Sequence, residues 1–139
     1  MLIAVDFDGT IVQHEYPKIG KEIPFAIDTL KRLQKDFHQL VLWTVREGKE
    51  LDEAVEYCRA RGLEFYAINR SYPEEEIEEG VSRKVNADLF IDDRNLGGLP
   101  DWGVIYQMIT SGNHHLPPKP EIHNEYGNKK KGFFSMFKK

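Results

Sequence analysis

Two aspartates separated by a single residue follow a short apolar stretch near the start of the chain. Residues 2–5 read Leu-Ile-Ala-Val, and Asp6 and Asp8 come next, ahead of Gly9. Two carboxylates held this close repel each other unless a cation or a shared proton offsets their charge. Because residues i and i+2 of an extended chain point the same way, we expect both carboxylates to face one ligand.

Further polar residues follow two other apolar stretches that have the character of strands. Thr44 and Arg46 follow the second stretch, and Asp92 and Asp93 close a later one. Ligands of parallel sheets bind beyond the carboxyl ends of the strands, so these side chains should meet at one edge. Clustered carboxylates without cysteine or clear histidine partners favour a hard cation such as Mg²⁺.

The paired aspartates are suited to phosphoryl transfer. A carboxylate can attack phosphorus and form an aspartyl phosphate. A second group must then protonate the leaving oxygen and activate water. Asp6 and Asp8 are placed to divide these roles over one substrate, and Gly9 would let the backbone turn sharply beside the ligand.

Groups that could bind the phosphoryl oxygens lie further along the chain. Thr44 offers a hydroxyl, and either Arg46 or Lys84 offers a cation. Arg46 could equally begin a helix or form an ion pair. The predicted site therefore combines a nucleophile, an acid/base, a metal and a phosphate-binding set.

The hydrophobic pattern predicts an α/β fold that positions these residues. Strands are predicted at 2–6, 38–44, 64–69, 87–93 and 103–106, and helices at 24–36 and 47–61. Alternating strands and helices indicate a parallel sheet covered on both faces. We therefore expect a three-layer, Rossmann-like sandwich around a mostly parallel sheet of about five strands.

Composition limits the class of protein. The 139 residues suggest one domain, and no apolar run approaches the roughly 18 residues that a membrane span needs. We expect no integral membrane segment and no signal peptide. The single cysteine, Cys58, excludes an internal disulfide and suits a reducing cytoplasm.

Four motifs, in order, resemble those of the haloacid dehalogenase-like superfamily, most of whose members are Mg²⁺-dependent phosphatases. "DFDGT" at 6–10 resembles the first motif, and Thr44 in "LVLWT" resembles the second. Lys84 in "SRKVNADLF" is the best match to the third, and "IDD", ending in Asp92 and Asp93, resembles the fourth. The resemblance covers roughly residues 1–110.

The resemblance implies a role for each matched residue. Asp6 is then the nucleophile and Asp8 the acid/base, and an aspartate at the second position suits hydrolysis of phosphomonoesters. The metal would be bound by the Asp6 side chain, the Asp8 backbone carbonyl and one acid of the later pair. Asp93 is favoured as the direct ligand with Asp92 behind it, and the reverse order stays open.

The gaps between the motifs leave no room for the cap domain that many members insert. We therefore predict a catalytic domain at 1–112 and a separate C-terminal segment at 113–139. The resemblance implies one of two kinds of capless enzyme. One kind acts on macromolecular phosphates, and in the other a neighbouring subunit of a homo-oligomer closes the site. The loop 10–22 and the segment 70–83 are the local lids.

The substrate stays open between a small phosphorylated metabolite and a nucleotide. "ADLFIDDR" resembles the fourth-motif region of small 5′-nucleotidases, in which an arginine follows the acid pair. A rival interpretation is a non-enzymatic module that binds metal and phosphate and acts through partners.

The chain ends in a basic, aromatic tail. Residues 129–139 read "KKKGFFSMFKK", with five lysines and no acid, in a chain whose net charge is −4. Such a tail could contact an anionic membrane surface or a nucleic acid. We favour the alternative that its aromatic residues pack on the body or on another subunit.

Overall fold

The computed structural model describes residues 1–76 and 84–116, which form an α/β fold. A four-stranded sheet has the order β3-β2-β1-β4, and every neighbouring pair is parallel. The elements are β1 (Leu2–Val5), α1 (Ala26–Lys35), β2 (Gln39–Leu42), α2 (Gly48–Ala60), β3 (Ala67–Ile68), β4 (Leu89–Ile91) and α3 (Trp102–Thr110). The predicted α/β class with a parallel sheet is confirmed.

β1 lies at the centre of the sheet because its sequence is apolar on both faces. Ile3 and Val5 are fully buried on one face and Ala4 on the other. In register, Val5 pairs with Leu42 of β2 and with Ile91 of β4. The residues that follow these three strands are therefore delivered to one edge of the sheet.

All three helices share one face of the sheet. A single core cluster joins sheet residues such as Ile3 and Leu42 to Leu30 of α1, Cys58 of α2 and Ile105 of α3. This grouping follows from amphipathic helices, whose apolar stripes need a common apolar surface.

The opposite face carries a smaller cluster of Ala4, Val41, Ala67 and Val85. Among residues 1–76 and 84–116 this face is covered without a helix. The expected sandwich with helices on both faces is therefore not what the described chain shows.

The strand predicted at 103–106 is wrong, because these residues lie inside α3. The Asp101 side chain caps this helix by accepting from the Gly103 N–H at 2.8 Å. Trp102, Ile105 and Ile109 then fall on one buried face at helical spacing. A short apolar run does not by itself distinguish a strand from a buried helix. As a result β4, rather than a fifth strand, is the last strand on its side of the described sheet.

The loop 10–22 folds back onto the end of β1. Val12 forms isolated bridges with Asp8 and Glu22, and Ile11 and Val12 are fully buried. The Trp102 indole N–H donates to the Thr10 carbonyl at 3.0 Å and so ties this loop to α3. The loop is thus anchored at its start, next to the predicted site.

Two of the predicted regions extend beyond the described residues. Residues 77–83 of the predicted lid 70–83 lie outside them, as does the chain after Leu116, which includes the tail 129–139. No helix within the described ranges is long and apolar enough to cross a membrane.

Candidate functional site

Three carboxylates converge where β1 and β4 end. Asp6, Asp92 and Asp93 each place one oxygen within 4.8 Å of the others, and all three side chains are half-buried. They meet because Val5 pairs with Ile91, so the next residues of both strands leave the sheet side by side. The structure thus brings together the first and fourth predicted groups.

Thr10 connects two members of this cluster through its hydroxyl group. Its fully buried hydroxyl lies 3.5 Å from Asp6 Oδ2 and accepts the Asp93 backbone N–H at 3.1 Å. Gly9 has φ +82°, and a side chain there would collide with the Asp93 carboxylate. Gly9 was predicted to lie beside a ligand; the described structure shows that it makes room for Asp93.

The cluster is electrostatically unfavourable without a cation. The pKa of Asp6 is raised to about 7, mainly by burial and also by the neighbouring carboxylates of Asp92, Asp93 and Asp8, against a lowering by the hydrogen bond from the Phe7 backbone N–H. Asp93 Oδ1 is buried and has no hydrogen-bond partner among the described residues. An all-carboxylate set with an unpartnered buried oxygen fits Mg²⁺, which prefers oxygen ligands.

Arg46 lies where no phosphate can reach it. All five of its N–H donors are used within the protein, and its side chain has 0% exposure. Nε and Nη2 donate to the two Asp8 carboxylate oxygens at 2.7 and 2.8 Å. The remaining donors bind the backbone carbonyls of Pro17, Lys18 and Glu50. Of the roles left open for Arg46 by the sequence, the structure shows ion pairing, with Asp8 as the partner.

This ion pair joins the base of the cavity to two other segments. The Arg46 guanidinium carbon lies over the rings of Phe7 and Tyr16, 5.1 Å from each centroid. Its carbonyl partners belong to the loop 10–22 and to the first turn of α2. Since a cation buried in this way must be paired, Asp8 has a structural role in addition to any chemical one.

Thr44 lies two residues beyond the end of β2. Its backbone N–H donates to Asn69 Oδ1 at 2.8 Å, and its Oγ1 accepts the Arg46 backbone N–H at 3.1 Å. The hydroxyl proton is therefore still available for a ligand in the cavity. Asn69, which sequence reasoning missed, has φ 53° after β3, a conformation that asparagine tolerates.

A cavity of about 420 Å³ opens over these groups. It is lined by Asp6, Asp8, His14, Tyr16, Trp43, Thr44, Val45, Asp92 and Arg94. Sequence reasoning did not assign His14, Tyr16 or Arg94 to the site, and it left Trp43 open between a platform for a base and a core residue. Arg94 had a signal, since it directly follows the acid pair, whereas the loop residues could be placed only by the folding of 10–22.

Lys84 does not join the residues that line this cavity. Its side chain is exposed, and its ammonium nitrogen lies 5.2 Å from the centroid of the Phe90 ring. Phe90 packs with the cluster on the face of the sheet opposite the helices. Among the described residues, Arg94 rather than Lys84 is the cation that lines the cavity.

A solved structure resembles this chain closely. It is described as a conserved protein from Bacteroides thetaiotaomicron, with 69% sequence identity and a TM-score of 0.76. The match covers 81% of this chain and 91% of that chain. The chain therefore belongs to the family of that conserved protein, whose description states no activity.

Other comparisons add no activity. No protein-family model matches the chain, and no curated protein does. The chemistry must therefore be argued from the site itself.

Proposed function

We propose that the protein is a Mg²⁺-dependent phosphomonoester hydrolase of the haloacid dehalogenase-like type. The observation that carries the proposal is the three-carboxylate cluster with its unpartnered Asp93 oxygen. Thr44 and Asp8 lie beside it in the same cavity. This set matches what attack by a carboxylate on phosphorus requires.

Mg²⁺ would be held by the Asp6 carboxylate, the Asp8 backbone carbonyl and Asp93. Asp93 is the better direct ligand because Asp92 Oδ1 already accepts the Arg94 backbone N–H at 3.0 Å. When bound, the cation offsets the charge of the cluster and polarises the phosphoryl group. The Thr44 hydroxyl and the Arg94 guanidinium would donate to the phosphoryl oxygens.

The reaction has two displacement steps. With Asp8 entering the step in its protonated form, an Asp6 carboxylate oxygen attacks phosphorus, the bond from phosphorus to the ester oxygen breaks, and Asp8 gives that oxygen its proton. Asp8 then takes a proton from water, whose oxygen attacks phosphorus and breaks the bond to Asp6. Inorganic phosphate leaves, and both aspartates return to their starting states.

The ion pair with Arg46 restricts the position of Asp8 in the proposed reaction. Both Asp8 oxygens accept from Arg46, and each retains further lone-pair capacity. The Asp8 carboxylate borders the cavity with its side chain 8% exposed. One oxygen can therefore serve the substrate while the other stays bound to Arg46, which keeps the acid/base in a fixed position.

Release of phosphate from an aryl phosphate tests the proposal directly. With Mg²⁺ present, Asp6→Asn should lower turnover by at least about a thousandfold, since the amide cannot serve as the nucleophile. Asp52→Asn, which changes an exposed acid of α2, is the matched control and should retain full activity. Turnover by Asp6→Asn at the control rate would remove the nucleophile assignment.

A nucleotide is the second candidate substrate, because aromatic residues border the cavity. Tyr16 and Trp43 line it together with Arg94, and aromatic rings can stack on a base. Nucleoside monophosphates should then be hydrolysed faster than sugar phosphates of equal charge. Binding of Mg²⁺ and phosphate without turnover of either panel would favour the non-enzymatic module.

The cellular setting is proposed as cytoplasmic. Burial raises the pKa of the Cys58 thiol to about 12, so this cysteine is a packing residue of α2 and no nucleophile.

We also propose that a second subunit closes the capless cavity. Size-exclusion chromatography of the full chain, with and without Mg²⁺, tests this last point: a monomer in both would contradict it.

A further inference from the structure

A second concave surface lies along the outer edge of β4, and we call it the edge groove. It has a volume of about 410 Å³ and runs from Asp92, beyond the end of β4, to His114, after α3. Its apolar lining comes mainly from Leu89, Phe90, Leu96, Leu99, Met108 and Ile109. Of the residues that line it, only Asp92 also lines the cavity over Asp6.

The edge groove occupies the position of a further strand. β4 pairs with β1 alone among the described strands, so its other edge has no partner strand there. Proteins normally cover such an edge, because exposed strand edges pair with other chains. The exposure of Leu96, at 106%, shows that no described residue covers this wall of the groove.

We propose that residues 133–137 of this chain, Phe-Phe-Ser-Met-Phe, bind in the edge groove as a fifth strand beside β4. The remaining chain starts at the right place, since Leu116 follows closely after His114, which lines the groove. Residues 117–132 would connect the two, and an extended chain of that length spans up to about 50 Å. This reach exceeds what any docking position along β4 requires.

The composition of the segment matches the groove. Four of its five residues are large and apolar, and alternating side chains of a strand can meet the apolar lining. Lysines flank it at 129–131 and 138–139, and β4 is preceded by Asp88 and followed by Asp92. A strand added to a sheet edge gains main-chain hydrogen bonds along the edge and contacts for its alternate side chains, and the flanking lysines would add attraction to these acids.

Disulfide formation in the full chain tests the position of the segment. Leu96→Cys on the groove wall is combined with Ser135→Cys in the middle of the segment, and native Cys58 is fully buried. The control pair is Tyr66→Cys with Ser135→Cys, because Tyr66 is exposed next to β3 at the opposite edge of the sheet. Docking should make the first pair react at least about tenfold faster within one chain.

Equal rates for the two pairs would overturn the proposal. Faster reaction between two chains, seen as a covalent dimer, would overturn the assignment to the same chain and identify a second copy as the occupant. The outcome is independent of phosphatase activity, so it stands or falls apart from the proposed function.

Hydrogen exchange separates apolar docking from charge attraction. Serine at positions 133, 134, 136 and 137 should speed exchange of the β4 amides about tenfold. The matched control replaces Lys129, Lys130 and Lys131 with serine and should leave the protection unchanged. Unchanged exchange in the first variant, or lost protection only in the second, would contradict docking by the apolar residues.

Discussion

Two concave surfaces of almost the same volume meet at Asp92, and they differ in what they lack. The cavity over Asp6 has about 420 Å³, and its lining includes carboxylates, a hydroxyl, an arginine and aromatic rings. The edge groove has about 410 Å³ and is lined mainly by aliphatic side chains. Among the described residues, the three clustered carboxylates of the first have no ion-pair partner, and the apolar surface of the second has no cover.

This difference teaches how each surface contributes to stability. Crowded carboxylates destabilise a fold until a cation binds, so they indicate a ligand. Exposed apolar side chains reduce the stability gained by burial, so they indicate a segment that packs there. Substitutions in the cavity should therefore change activity and metal dependence, and those in the groove should change stability alone.

The largest expected effect comes from the ion pair beneath the cavity. Arg46→Leu should lower the free energy of unfolding by about 3–5 kcal/mol, because it leaves the Asp8 carboxylate buried without a partner. Asp8→Asn combined with Arg46→Leu should recover part of that loss. Urea unfolding measures both variants.

A matched control uses a surface ion pair of the same chemistry. Arg32 lies 3.9 Å from Asp36, with 65% of the arginine side chain exposed. Arg32→Leu should change stability by no more than about 1 kcal/mol. Similar losses at Arg46 and Arg32 would show that the buried pair does not support the cavity.

The next effect is the pH dependence caused by Asp6. Its pKa rises from 3.8 to about 7 on folding, so between these pH values the folded state binds more protons than the unfolded state. Stability without metal therefore falls as pH rises through this window. Above pH 7, Asp6→Asn should stabilise the metal-free protein by about 2 kcal/mol, since Asp6 is partly exposed and screened.

A substitution in the edge groove is the control for the pH dependence of Asp6→Asn. Leu99 packs against the main core cluster, so Leu99→Ala should destabilise the protein by about 1–2 kcal/mol at every pH. Saturating Mg²⁺ should remove the advantage of Asp6→Asn, because binding requires the ionised carboxylate. Thermal unfolding with and without Mg²⁺ distinguishes these outcomes, and a pH-independent effect of Asp6→Asn would contradict the assignment.

The smallest effect separates two cations that could bind phosphate. Arg94 lines the cavity, whereas Lys84 lies over the Phe90 ring. Arg94→Ala should raise KM for a phosphomonoester about tenfold, as expected for one lost charge-assisted hydrogen bond. Lys84→Ala should raise it less than about twofold. The opposite order in steady-state kinetics would return the role to Lys84.

Much of the fold was predictable because its local patterns are strong. The apolar strand stretches around Asp6 and Asp92 and the amphipathic spacing of α1 and α2 predict their own elements. The segment 103–106 was misjudged because a four-residue apolar run fits both a strand and a buried helix. The Asp101 cap and the contact of Trp102 with Thr10 decide for the helix.

The candidate site divides in the same way. The convergence of Asp6, Asp92 and Asp93 follows from parallel strands that end at one edge. The role of Arg46 did not follow, because its spacing after Thr44 is the same whether the side chain points to a ligand or to Asp8. Only its burial and five internal hydrogen bonds distinguish the two.

The sequence alone determined which chemical groups reach the end of the sheet, because strand periodicity and chain order fix where residues such as Asp6 and Asp92 emerge. The tertiary structure decided which groups satisfy one another. It paired Arg46 with Asp8, placed Gly9 against Asp93 and left one Asp93 oxygen without a partner among the described residues. These outcomes depend on distances between residues remote in sequence, which no local pattern specifies.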